Sequence, residues 1–102
     1  MQTKVIKQVK IGVRGVVQGV GFRPFIYRLA HKHNLKGWVR NTSGKVEIEI
    51  EGDEESLETF LTELKQEAPS AAHIENIQVD FSFPSKYSHF KIKDSLRQEG
   101  KH

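Results

Sequence analysis

The sequence predicts an α+β fold in which two amphipathic helices cover one face of an antiparallel sheet. Three observations predict it. Apolar residues alternate with polar ones over short runs such as Val9, Ile11 and Val13, the period of a half-buried strand. Twice the period lengthens to that of a helix, first from Phe22 and again from Leu57. The resulting order is strand, helix, strand, strand, helix, strand, with a further short strand at the end.

Each element has its own signal. Val9, Ile11 and Val13 form the first strand against Lys10, Gly12 and Arg14. Phe22, Phe25, Ile26, Leu29, Ala30 and His33 then fall on one helical stripe, and Asn34 and Gly37 suit the end of that helix. Lys36 to Asn41 reads as the second strand and Thr42-Ser43-Gly44 as a turn. In Lys45 to Glu51, Val46, Ile48 and Ile50 alternate with Glu47, Glu49 and Glu51, which implies one wet face. Asp53 suits the cap of the second helix, with Glu54 and Glu55 at its positive end. Leu57, Phe60, Leu61 and Leu64 are its buried stripe, and Pro69 follows it. Ile77, Val79 and Phe81 alternate in a fourth strand, and Phe90 and Ile92 mark the short last one. This is the βαββαβ, ferredoxin-like sandwich, a fold that hosts many functions.

The chain has 102 residues, the size of one domain spanning 1–102, with a folded core at about 8–93 and polar ends at 1–7 and 94–102. It contains no cysteine, which excludes disulfides, zinc ribbons and thiol catalysis and fits a reducing compartment. The N-terminus is too polar for a signal peptide, and no run approaches the roughly 18 apolar residues of a membrane helix. A cytoplasmic, soluble monomer is expected. The net charge of +3 favours anionic ligands without naming one.

The stretch GVVQGVGFRPF, Gly15 to Phe25, lies between the first strand and the first helix. A helix start presents unpaired N–H groups and the positive end of a dipole. A glycine-rich turn before it can converge further N–H groups on an anion, and Arg23 can add two parallel hydrogen bonds to a phosphate. On spacing alone the stretch reads equally as a tight strand-to-helix turn. Neither the Walker pattern nor G-x-G-x-x-G is present. Pro24 suits a first helical turn but disfavours helical dihedrals at Arg23, so Arg23 is expected just outside the helix.

Gly15-Val-Val-Gln18-Gly19-Val20-Gly21-Phe22-Arg23 resembles the phosphate loop of the acylphosphatases, G-x-V-Q-G-V-x-F-R, and Gly37-Trp38-Val39-Arg40-Asn41-Thr42 resembles their second signature, G-x-V-x-N. The resemblance covers about residues 8–93. It implies hydrolysis of the carboxyl–phosphate bond of small acyl phosphates to carboxylate and inorganic phosphate, without metal, cofactor or covalent intermediate. It assigns phosphate binding to the backbone of Val16, Val17, Gln18, Gly19, Val20, Gly21 and Phe22, catalysis to Arg23 and to Asn41 as the positioner of the attacking water, and support to Gly15 and Thr42. Gly21-Phe22-Arg23-Pro24-Phe25 and the short turn from Asn41 to Gly44 also resemble the N-terminal acylphosphatase-like domain of the hydrogenase-maturation carbamoyltransferases. That alternative implies carbamoyl phosphate as substrate, although the chain lacks the cysteine-rich zinc motifs of those proteins.

Other residues have plainer readings. Asn41 also fits an ordinary turn, and Asn41-Thr42-Ser43 is a glycosylation sequon without a secretion signal. Thr42 and Ser43 are expected to brace Asn41 through their hydroxyls, and Gln18 to hold the loop shut. His31 and His33 point to different sides of a helix and do not suggest a metal site. Glu47, Glu49 and Glu51 read as a solvated strand face. RNA binding through the sheet would need exposed aromatics where KVEIEIE carries glutamates, so no nucleic acid and no membrane is expected as a partner.

Overall fold

The computed structural model describes residues 5–95. Its elements are β1 (Lys7–Val16), α1 (Phe22–Lys32), β2 (Lys36–Thr42), β3 (Lys45–Gly52), α2 (Glu54–Gln66), β4 (His73–Ser82) and β5 (Phe90–Ile92). The sheet order is β4-β1-β3-β2-β5. The first four strands are antiparallel neighbours, as the sequence predicts. β5 adds to the edge parallel to β2, so the sheet is mixed rather than wholly antiparallel. Of the polar ends, Lys7 already belongs to β1; residues 1–4 and 96–102 lie outside the described residues.

The core forms between the helices and one face of the sheet. Val9, Ile11 and Val13 of β1, Val39 of β2 and Val46, Ile48 and Ile50 of β3 are buried against Phe22, Phe25, Ile26 and Leu29 of α1 and Leu57, Phe60 and Leu64 of α2. β4 departs from the expected burial. Val79 and Phe81 share the helix side with Ile11 and Val9 by register, yet Phe81 is 76% exposed. β4 is the edge strand on that side.

The two helices end differently from how they begin. α1 closes in a left-handed Asn34 (φ 57°), with Leu35 N–H donating to Ala30 O at 2.8 Å and Asn34 N–H to His31 O at 3.1 Å. That is the paired-bond C-terminal motif in which asparagine replaces glycine, and it sends buried Leu35 into the core. α2 begins on Asp53, whose side chain accepts from Ser56 N–H at 3.2 Å. The helices are joined on the outside by Glu63, which accepts from Lys32 Nζ at 3.0 Å and bonds His33 Nε2 at 2.9 Å.

The sheet's second face is less open than the glutamates of β3 suggest. β4 and β5 lie on opposite edges, so residues 83–89 must cross the sheet. Four strand gaps of about 4.8 Å make roughly 19 Å, which lies within the reach of a seven-residue connection. It crosses over Glu51. That carboxylate is 3% exposed and accepts from Gln8 Nε2 at 2.7 Å, Lys86 N–H at 3.2 Å, Tyr87 N–H at 3.1 Å and Ser85 N–H. Tyr87 then donates its hydroxyl to Glu49 and accepts from Trp38 Nε1 at 3.0 Å. Burial, and then the bond to Glu49, holds the Tyr87 phenol above its ordinary value. Glu49 and Glu51 are therefore buried anchors of a crossing segment, and only Glu47 fits the solvated reading.

Two outcomes are expected. Glu51→Leu leaves buried N–H groups without an acceptor and costs on the order of 3 kcal/mol, read from urea denaturation, whereas Glu51→Gln, which keeps one acceptor oxygen, costs less. Hydrogen bonds from His33 and then Lys32 hold the Glu63 carboxyl below its ordinary 4.5. Its contribution to stability is complete above that value and is lost as pH falls through the lowered one. The melting-temperature gap between the wild type and Glu63→Gln should accordingly narrow on acidification below pH 4.5.

Candidate active site

Between β1 and α1 the chain turns through residues 17–21. Gly15 sets the turn up. It sits at φ 132°, where β1 shifts register against β4 between Arg14 and Gly15. A Cβ there would lie 2.1 Å from the His73 carbonyl oxygen, so no side chain fits. Gly21 takes a left-handed φ of 79° as the cap residue of α1, a conformation that suits glycine.

Unlike α2, this helix starts without a side-chain cap. Gly21 offers no side chain, and the first turn contains no acidic residue. Among the described residues, no backbone hydrogen bond outside the regular elements is donated by Val17, Gln18, Gly19, Val20 or Gly21. The first N–H groups of any helix add to this set, and the dipole makes the region positive.

Arg23 increases that positive charge. It is the second residue of α1, inside the helix and not just before it as Pro24 suggested. The left-handed Gly21 makes the turn, so Arg23 and Pro24 both enter the first helical turn, where proline's missing N–H has no partner to lose. Arg23 is half-buried and has no ion-pair or hydrogen-bond partner among the described residues. A cation at a helix N-terminus is electrostatically unfavourable unless an anion joins it.

Asn41 lies near the end of β2, on the same side of the strand as core residue Val39. Its Oδ1 is buried and has no hydrogen-bond partner among the described residues. An unsatisfied buried acceptor is costly and rare, and it offers a lone pair to the O–H of a small donor.

Gln18 links the turn to this strand. Its Nε2 donates to Thr42 O at 2.7 Å and to Lys45 O at 2.9 Å. The loop is thus held against the β2–β3 turn, not merely closed on itself. Thr42 engages the loop through that carbonyl; neither its hydroxyl nor that of Ser43 forms a hydrogen bond among the described residues, so the expected hydroxyl brace on Asn41 is not present there. As consecutive strand residues, Asn41 and Thr42 project to opposite faces. His31 lies beside the Tyr27 ring at 4.4 Å between ring centres, and His33 bonds Glu63.

The acylphosphatase family profile matches residues 9–92, nearly all of the described chain. The chain belongs to the acylphosphatase family. An acylphosphatase of Thermotoga petrophila is 45% identical over 89 residues, which cover 86% of this chain and 98% of that protein. A probable carbamoyltransferase HypF of Methanocaldococcus jannaschii is 48% identical over 73 residues, 72% of this chain. The chain spans only 10% of that larger relative. A crystal structure of full-length HypF in a phosphate- and nucleotide-bound form superposes with a TM-score of 0.92 at 42% identity, covering 97% of this chain and 13% of the other. This acylphosphatase domain thus has kin both among small acylphosphatases of its own length and within much longer proteins.

The Gln18 bridge has a measurable consequence. Gln18→Ala removes two hydrogen bonds to backbone carbonyls, one of them partly buried. It should lower unfolding free energy by about 1–2 kcal/mol in urea titration, while Gln18→Glu, which loses the donor and places a carboxylate against two carbonyls, should cost more.

Proposed function

We propose that this acylphosphatase-family chain hydrolyses the carboxyl–phosphate bond of small acyl phosphates, without metal or cofactor, by direct attack of one water. The observation that carries this reading is the joint presence of unpaired positive groups at the start of α1 and an unsatisfied acceptor on Asn41. The first set suits the phosphoryl group, and the second suits the nucleophile.

In the proposed mechanism the backbone N–H groups from Val16 to Phe22 and the Arg23 guanidinium hold the phosphoryl oxygens. Gly15 keeps the strand close enough for the loop to turn. Phosphoryl transfer needs in-line geometry and charge stabilisation more than covalent help, and preorganised amides with an arginine supply the latter. Asn41 Oδ1 accepts from the water and aims its oxygen at phosphorus. As the new P–O bond forms, the bond to the acyl oxygen breaks and the carboxylate leaves with the electron pair. The water's proton passes to a phosphoryl oxygen, since a carboxylate leaving group requires no strong base.

A second reading is favoured by the carbamoyltransferase relatives and by Pro24-Phe25 after the arginine. On it, carbamoyl phosphate is the preferred substrate and the chain corresponds to the acylphosphatase-like part of a hydrogenase-maturation protein. Comparing kcat/KM for acetyl, benzoyl and carbamoyl phosphate separates the two readings.

Arg23→Ala should raise both KM and the inhibition constant for inorganic phosphate by about 10- to 100-fold, the loss of charged hydrogen bonds. Asn41→Ala should lower kcat on the order of 100-fold, the effect of a misplaced nucleophile, with phosphate inhibition nearly unchanged. Wild-type rates in both variants would refute the assignment, as would loss of activity in excess chelator.

A further inference from the structure

On the face of the sheet away from the helices lies a cavity of about 350 Å³. Arg23, Asn41 and the loop between β1 and α1 do not line it. It occupies the part of this face that the crossing segment 83–89 leaves uncovered. Lys10, Gly12, Trp38, Arg40, Gln78 and Asp80 form its floor and walls.

Gly12 is the unexpected residue. It lies in a central strand, opposite Glu47 on one side and Gln78 on the other. Its backbone needs no positive φ, and an added Cβ would meet nothing closer than Lys45 Cδ and Nζ at 3.9 Å. Neither strain nor packing calls for glycine here. Glycine inside a strand weakens it and often marks a close approach by another molecule.

Of the charged groups around this floor, Lys10 and Asp80 alone have neither a hydrogen-bond nor an ion-pair partner among the described residues. Glu47 is paired with Arg40 at 3.2 Å and Lys45 at 3.8 Å, and Glu49 accepts from Tyr87. Lys10 and Asp80 are cross-strand neighbours, but neither has an ion pair within 4.0 Å among the described residues. Gln78 likewise has no hydrogen bond there. The cavity therefore offers one free ammonium, one free carboxylate and one free amide around an open floor. Its aromatic wall is Trp38, which carries Arg40 Cζ at 4.9 Å and Lys93 Nζ at 4.5 Å from its ring centre.

We propose that this cavity binds a small zwitterion, a free α-amino acid. Its carboxylate would meet Lys10, its ammonium Asp80, and its side chain would lie over Gly12 against Trp38. A simple anion or cation would satisfy only one of the two free charges and leave the other beside it. The volume lies at the lower end of the range usual for small-molecule sites, which suits a ligand of this size.

Trp38 is the chain's single tryptophan, so its emission reports on the site. The full chain is titrated with glycine, alanine, leucine and glutamine, then with acetate, ethylamine and glycylglycine as partial or stretched mimics. A saturable change in Trp38 emission is expected with at least one amino acid at millimolar concentration, at least about tenfold tighter than with any mimic. Lys10→Met and Asp80→Asn should each weaken it about tenfold. Gly12→Val should abolish it by filling the floor, and Gly12→Ala, whose Cβ has room, serves as the variant certain to report if valine perturbs the strand. Acyl phosphate hydrolysis should be unchanged in Gly12→Ala. No saturable response to any amino acid would overturn the proposal. So would acetate or ethylamine binding as tightly as the amino acid, or full binding retained in Asp80→Asn.

Discussion

The start of α1 is electrostatically unfinished, and the rest of the molecule is arranged around that fact. Most helices satisfy their first N–H groups with a side-chain cap and place acids in the first turn. α2 does both, with Asp53 as its cap and Glu54 and Glu55 behind it. α1 does neither, and it adds Arg23 to the positive end. Such a terminus is stabilised by a bound anion rather than by the chain itself. The cost to the apo fold is tolerable because α1 is fixed at its far end by the bonds from Asn34 and Leu35 and along its length by buried Phe22, Phe25, Ile26 and Leu29.

A positive loop alone binds phosphate; hydrolysis also needs a nucleophile held at a fixed position. The loop belongs to the β1–α1 connection, whereas Asn41 belongs to β2. Two constraints hold these segments together. β1 and β2 both pair with β3, which sets the strands side by side. Gln18 then ties the loop to the carbonyls on either side of the β2–β3 turn. Sheet register gives the coarse placement and the glutamine the fine one.

Much of this was legible in the sequence because its signals are local. The stripe from Phe22 to Ala30, the cap at Asp53 and the alternation of Val46, Ile48 and Ile50 each depend on neighbours within one turn or one pleat, and the structure keeps all three. What failed depended on distant segments. Alternation in KVEIEIE separates two faces but cannot say what covers the second, and it is a segment more than 30 residues later that buries Glu51. Val79 and Phe81 carry a buried pattern on a strand whose edge position leaves them exposed. Arg23 is helical despite Pro24 because Gly21 takes the turn two residues earlier than the proline implied. The partnerless Oδ1 of Asn41 has no sequence signature at all, since any asparagine could occupy a turn.

The sheet also keeps two electrostatic environments apart. Along β2, Val39 and Asn41 project toward the helices and Trp38 and Arg40 toward the other face. On the helix side the unpaired groups at the loop are positive, which selects an anion. On the other side Arg40 is paired with Glu47, and the two charged groups without any partner among the described residues, Lys10 and Asp80, are of opposite sign. A five-stranded sheet whose central strands are buried has little room to slide, because a one-residue shift would move Asn41 into the cavity and Arg40 into the core. The register that buries Val13 against Val46 therefore also decides which charges lie on the side of the loop and which on the side of the cavity. Fold stability and the separation of the two surfaces rest on the same pairing, so a substitution that loosens the β1–β3 register should damage the candidate active site and the cavity together, whereas substitutions of residues facing only one side should not cross over.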